Sequence, residues 1–313
     1  MKILITGVAG YIGSCLLKKI IAETSWDVVG VDRLLYGGES LVQHVSNDRF
    51  TFIKGDVRDS GVLKKSLVGC DAVIHLAAIV GFPACERDAN FSISINSEAT
   101  KLLTSMVPKD IPILYGSTGS NYGAVDGVCT EDTKLKPLTT YAVTKAEGEK
   151  FVLDHPSGVA FRFATAFGIS PRMRFDLLVN DFARKLYNDR YLVVYESSFM
   201  RTFIHVEDIA NSFIYALKNI GVFKSNVFNV GDNSMNYSKK QICEMVREKV
   251  GGFVYYAEIG SDGDKRNYMV DYTKLKNTGY VCAKNMQTGI QEILDVLPLI
   301  QRNDPFNNAD TLR

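Results

Sequence analysis

The sequence predicts an α/β fold: a doubly wound parallel sheet with a smaller, partly interleaved C-terminal lobe. Three observations lead there. Short apolar runs alternate with amphipathic stretches through the first half, the signature of strand–helix–strand units. Those runs are apolar on both faces, as strands covered by helices on both sides must be. After Thr165 the rhythm breaks into shorter, mixed elements. With 313 residues, 46% of them apolar, the chain can bury a substantial core in one large or two closely packed domains.

Taken in order, Lys2–Thr6 reads as the first strand and Tyr11–Glu23 as an amphipathic helix. Trp26–Asp32, Phe50–Lys54, Asp71–Leu76, Ile111–Tyr115 and Ser157–Ala164 read as the second to sixth strands. Gly168–Arg174 is a polar turn segment before a helix-like run, Phe175–Tyr187. Val193–Glu196 and Phe199–Val206 read as strands, Asp208–Leu217 as a helix and Asn226–Val230 as a strand. Helices are expected at Ser238–Val250 and near Gln287–Val296, with a short strand near Tyr255. Residues 1–165 would form the first domain and 166–313 a second lobe, with 200–230 returning to the first domain.

Lys+Arg 36 against Asp+Glu 35 argues against a general nucleic-acid binder or a polybasic membrane binder. The six cysteines (Cys15, Cys70, Cys85, Cys129, Cys243, Cys282) show neither a CxxC pair nor metal-ligand spacing, so no metal is expected. They read as core thiols in a reducing compartment. MKILITG runs straight into a strand, and no run approaches the ~18–20 apolar residues of a membrane span, so a cytoplasmic location is expected.

Thr6-Gly7-Val8-Ala9-Gly10-Tyr11-Ile12-Gly13 follows a strand and opens a helix. Gly7 permits the tight turn, Gly10 lets backbone approach a pyrophosphate, and Gly13 lets helix and strand pack closely. The helix N-terminus then offers free N–H groups and a positive dipole to the anion. Asp32 ends the second strand, where a carboxylate can accept hydrogen bonds from an adenosine ribose and would repel a 2′-phosphate. A Rossmann-type domain binding NAD is the expectation, although Arg33 beside Asp32 leaves NADP open. Asp56, with Val57 after it, follows the third strand where an adenine amino group would lie.

Tyr141 and Lys145 stand at i and i+4 on one helix face. A free tyrosine, with a pKa of about 10, is a poor base near neutrality. A nearby ammonium and an oxidised nicotinamide both favour the phenolate, and a shift of ~3 units needs about 4 kcal/mol of electrostatic preference. Ser117-Thr118 lies just after the fifth strand, where strand ends line a cofactor crevice. A hydroxyl there can hold a substrate oxygen while Tyr141 takes its proton.

TGVAGYIG, HLAA (His75–Ala78), STGSNYG (Ser117–Gly123), YAVTK and RTFIHVEDIA (Arg201–Ala210) together resemble the extended short-chain dehydrogenase/reductase superfamily, over nearly the whole chain. The likeness is to its nucleotide-sugar epimerases and dehydratases. It implies that Thr118, four residues before Tyr122-Gly123, is the catalytic hydroxyl beside Tyr141 and Lys145. Leu76, Ala77 and Ala78 would line the nicotinamide side, and Asn96 would stand near the cofactor and the active-site helix. Where family 4,6-dehydratases carry a carboxylate after the threonine, this chain has Gly119 and Ser120, which disfavours dehydration. Ala164-Thr165 replaces the family's FN pair.

The same resemblance assigns the substrate side. Arg201 and Asn180 match residues contacting a diphosphate, and Arg266 resembles a late ribose or phosphate contact. Arg172 and Arg174 are further cationic candidates in loops, each charge-assisted contact contributing roughly 1.5–3 kcal/mol. Val80, Ser120 and Thr165 complete the sugar pocket. Phe167–Phe182 is similar to a branch that includes enzymes oxidising C4 of a GDP-linked heptose. The implied activity is NAD-dependent oxidation at C4 of a nucleotide-sugar, as a 4-epimerase or as a 4-dehydrogenase. Two alternatives stay open: an NADP(H)-dependent 4-keto-sugar reductase, and a non-catalytic dinucleotide-binding protein. The family also implies a homodimer, through Ser92–Val107 and Tyr141–Leu153.

Overall fold

The computed structural model describes residues 1–125, 127–258, 269–300 and 308. Its centre is a seven-stranded sheet, every pair parallel, built from β1 (Lys2–Thr6), β2 (Asp27–Asp32), β3 (Phe50–Lys54), β4 (Ala72–His75), β5 (Ile113–Thr118), β6 (Gly158–Phe163) and β7 (Asn226–Val230). The spatial order is β7-β6-β5-β4-β1-β2-β3. The chain winds outward from β1 in one direction through β2 and β3, then returns to β4 on the other side. A ligand crevice opens at that reversal, outside the strand ends.

Alternation along β1 explains the two-sided core. Ile3 and Ile5 pack into one apolar cluster with Leu16, Leu17 and Ile20 of the first helix (Tyr11–Glu23). Leu4 faces the opposite cluster, with Ala99, Leu103 and Tyr115. Both faces are dry, as a parallel sheet requires.

A third core, around Phe167, Phe203, Ile242, Ile290 and Ile293, belongs to the lobe. There Met200–His205 joins a three-stranded sheet with Thr165–Phe167 and Asn236–Ser238, while Asn226–Val230 forms the outer edge of the large sheet. The segment 92–107 is not one regular helix: a π turn at Ser94–Glu98 separates Ala89–Ile93 from Ala99–Met106. The helix expected from Phe175 begins at Leu178, because Arg174 and Asp176 are held in an ion pair ahead of it. All six cysteines are free thiols, five of them buried. Among the described residues no helix is long and apolar enough to cross a membrane.

Candidate active site

One cleft runs along the C-terminal ends of the strands at the β1/β4 reversal. Its floor is the turn after β1. Gly7 sits at φ +74, where a Cβ would meet Ala77 N at 2.7 Å, and a Cβ on Gly13 would run into the Gly7 carbonyl. Side chains at either place would force apart the turn, the helix and the β4 end, so the cradle depends on their absence. Gly7, Gly10, Tyr11, Ile12 and Gly13 all line the cleft.

At one end Asp32 receives hydrogen bonds from Ala9 N (3.0 Å) and Leu34 N (2.8 Å). Burial pushes its pKa up, while those two N–H groups and the Arg172 charge oppose the rise. Arg33, Asp56 and Val57 line the same end. Asp56 accepts two bonds from the Arg58 guanidinium (3.0 and 2.8 Å) and pairs with Arg33 at 3.3 Å. Those contacts, Arg58 first, hold its carboxyl below the usual range. Both guanidinium groups lie over the Phe91 ring.

At the other end Leu76, Ala77, Ala78 and Val80 form the wall after β4, and Thr118 and Ser120 the wall after β5. Thr118 Oγ1 accepts from Ser120 N at 3.2 Å and donates to Ser120 Oγ at 3.0 Å. Ser117 instead donates to Glu149 at 2.6 Å, so its hydroxyl is already engaged. Tyr141 and Lys145 enter the cleft from the helix Thr140–Leu153. Thr139 caps that helix through Ala142 N, and Glu86 accepts from Thr140 N, which fixes the first turn that carries Tyr141. Burial pulls the Lys145 pKa down from 10.5 to about 7, against the opposing fields of Cys85 and Glu149.

The lobe closes the cleft with Thr165, Arg172 and Arg174. The Gly168–Arg174 loop is docked on the first helix: Ser170 Oγ donates to Tyr11 O (2.6 Å), Tyr11 OH to Gly168 O (2.7 Å) and Arg172 N to Ser14 Oγ (3.3 Å). Arg172 lies 4.8 Å over the Tyr36 ring, its pKa lowered to about 10 by burial and by Arg174. Arg174 pairs with Asp176 at 2.7 Å.

The model of the "NAD dependent epimerase/dehydratase family" matches residues 3–231. The chain belongs to that family. Its cofactor is NAD, and the glycine cradle and the backbone-held Asp32 carboxylate fit it. Low-salt glycan biosynthesis protein Agl12 from Haloferax volcanii is 29% identical over 94% of this chain and 98% of its own. A dTDP-glucose 4,6-dehydratase from Streptomyces griseus is 28% identical over 92% of this chain and 91% of its own. A UDP-glucuronic acid 4-epimerase from Bacillus cereus, solved with UDP-glucuronic acid and NAD, superposes with a TM-score of 0.86 at 26% identity, covering 96% of this chain and 99% of that one.

Three expected site residues are not among those that line the cleft. Asn96 lies behind the wall: it accepts from Ile79 N (2.8 Å) and donates to Ile79 O (2.9 Å) and Thr144 Oγ1 (3.2 Å), tying the β4 exit to the Tyr141 helix. Asn180 uses its amide on Gly168 N (3.1 Å) and Arg174 O (2.9 Å), holding the docked loop rather than lining the cleft. Arg201 is buried off the cleft, with one guanidinium N–H on Met200 O. Arg266 lies outside the described residues. Reading the sequence alone misses Tyr36, which no motif marks. It also misses the buried network beneath Thr118, where Arg162 pairs with Glu149 at 2.6 Å and donates to Tyr122 OH at 3.0 Å.

Proposed function

We propose that this chain oxidises C4 of a nucleotide-sugar with NAD, as a 4-epimerase or a 4-dehydrogenase. The observation that carries the reading is one cleft lined by the glycine cradle, Thr118, Tyr141 and Lys145 together. NAD supplies the two-electron acceptor for the sugar carbon. Tyr141, as phenolate, removes the proton of the C4 hydroxyl. Thr118 hydrogen-bonds the same oxygen, and its own bonding to Ser120 holds it in place. Lys145 contributes positive charge that favours the phenolate and would hold the cofactor ribose. Asp32 would take the adenosine ribose, and the free N–H groups after Gly10 the pyrophosphate. Among the described residues Arg172 and Arg174 are the lobe's cleft-lining candidates for the nucleotide-sugar diphosphate.

Gly119 and Ser120 follow Thr118, so no carboxyl group stands there to protonate a departing hydroxyl. That supports a reaction that stops at the 4-keto sugar or reduces it again, over one that loses water. The likeness to the 4-epimerase from Bacillus cereus supports chemistry at C4.

The test is incubation with excess NAD and UDP-, GDP-, CDP- and dTDP-sugars, followed by mass and absorbance. A ketone two mass units lighter with accumulating NADH marks a dehydrogenase; an isobaric, separable product without net NADH marks an epimerase. Loss of one water would overturn the argument from Gly119 and Ser120. Silence across the panel would favour a binding protein.

A further inference from the structure

Lys145 is almost wholly buried, at 2% exposure, yet its ammonium makes no hydrogen bond or ion pair among the described residues. What it touches is an aromatic face: Nζ lies 3.9 Å from the centroid of the Tyr115 ring. Tyr115 is itself buried on β5, and among the described residues its hydroxyl faces Thr100 without a well-formed hydrogen bond. That hydroxyl is pressed against the Tyr141 helix at Gly148, where a Cβ would overlap it.

The ring is also braced by a second aromatic group. His75, at the end of β4, stacks on Tyr115 with centroids 5.7 Å apart and planes 28° off parallel. Thr6 Oγ1 (2.6 Å) and Thr100 Oγ1 (2.9 Å) fix the two ring nitrogens of His75. Burial, and then the Lys145 charge, pull the His75 pKa down to about 3, so the brace is neutral and adds no like charge.

We propose that Tyr115 is a positioning residue for the reaction, its braced ring face carrying the Lys145 ammonium and keeping it charged beside Tyr141. This rests on the assignment of Tyr141 and Lys145 as the acid–base pair. A cation over an aromatic face in a desolvated site is attracted by the ring's quadrupole, which opposes the burial penalty on a lysine. The other groups facing Lys145 are poor substitutes. Cys85, from the helix Phe82–Arg87, is a thiol that burial pushes up to about 11. Glu149, one turn along the same helix, is engaged by Arg162, Ser117 and Asn121. His75 is neutral, and Tyr141 is the group being served.

The experiment is a phenolate difference-absorbance titration of the NAD-loaded protein, reading Tyr141 as the difference from the matching Tyr141→Phe protein. It compares Tyr115→Phe with Tyr115→Leu; both lack the hydroxyl, and only the first keeps the ring. Tyr115→Phe is expected to retain the wild-type midpoint, and Tyr115→Leu to raise it by about one pH unit, a tenfold loss of phenolate. Equal midpoints for Phe and Leu would overturn the proposal. If Tyr115→Leu does not fold, Tyr115→Met carries the same comparison. The titration needs no sugar substrate. A failed turnover panel with a shifted midpoint therefore contradicts the reaction alone, and an active panel with an unmoved midpoint contradicts the role of Tyr115 alone.

Discussion

Lys145 and Glu149 stand one turn apart on the same helix, both at 3% exposure or less, and the fold treats them in opposite ways. Glu149 is enclosed by donors: Arg162 at 2.6 Å, Ser117 at 2.6 Å and Asn121 at 3.3 Å. Burial disfavours the Arg162 charge, but its bonds to Glu149 more than offset that, and its pKa rises. Lys145 receives a ring face and an open cleft, and its pKa falls to about 7. A buried charge that holds structure is paired on every side. One that serves chemistry is left with its polar end free for a ligand, and stability is lower for it.

Breaking the paired side has the largest expected effect on folding. Glu149→Gln strands the Arg162 guanidinium in the core, at a cost of about 3–5 kcal/mol, read as a lower urea midpoint. Breaking the unpaired side does the reverse. Lys145→Met abolishes turnover yet stabilises the protein without NAD at pH 7, by on the order of 2–4 kcal/mol.

The pH dependence separates the two further. The folded-state pKa of Lys145, about 7, lies below its unfolded value, so between the two the unfolded chain binds more protons. The lysine's penalty is therefore complete below pH 7 and is relieved as pH rises above it. The stability difference between Lys145→Met and wild type should shrink by roughly 1 kcal/mol per pH unit from 7 to 9; a constant gap would contradict the assigned burial cost. The smallest effect belongs to the ring under Lys145: Tyr115→Phe removes a buried hydroxyl that has no well-formed hydrogen bond among the described residues and should gain about 1 kcal/mol in a denaturant titration.

What the sequence revealed follows from how local each feature is. The Gly7/Gly10/Gly13 spacing, Asp32 at a strand end and the i, i+4 pair Tyr141/Lys145 are each readable within one strand–turn–helix unit, and all six residues line the cleft. The strands were legible because apolar runs bounded by polar turns have few other uses. What escaped depends on register between distant segments. Nothing in the chain announces that Tyr115 lies under Lys145, that Arg162 on β6 reaches Glu149, or that Arg172 settles over Tyr36. Asn96, placed by likeness near the cofactor and the active-site helix, does bond Thr144 of that helix, and it does so from within the π turn at Ser94–Glu98, which also brings its amide to Ile79. A single extra residue in a helical turn leaves no mark in a hydrophobic pattern.

The central claim, that Tyr141 removes a proton as C4 of a nucleotide-sugar is oxidised, is tested most directly by a single turnover with 4-deuterated nucleotide-sugars and the NAD-loaded protein. The expected result is deuterium in the reduced nicotinamide, or returned to C4 of an epimer, with the rate falling about 10²–10⁴-fold in Tyr141→Phe. Turnover with deuterium retained on the unchanged C4 centre, or equal rates in Tyr141→Phe and wild type, would contradict it.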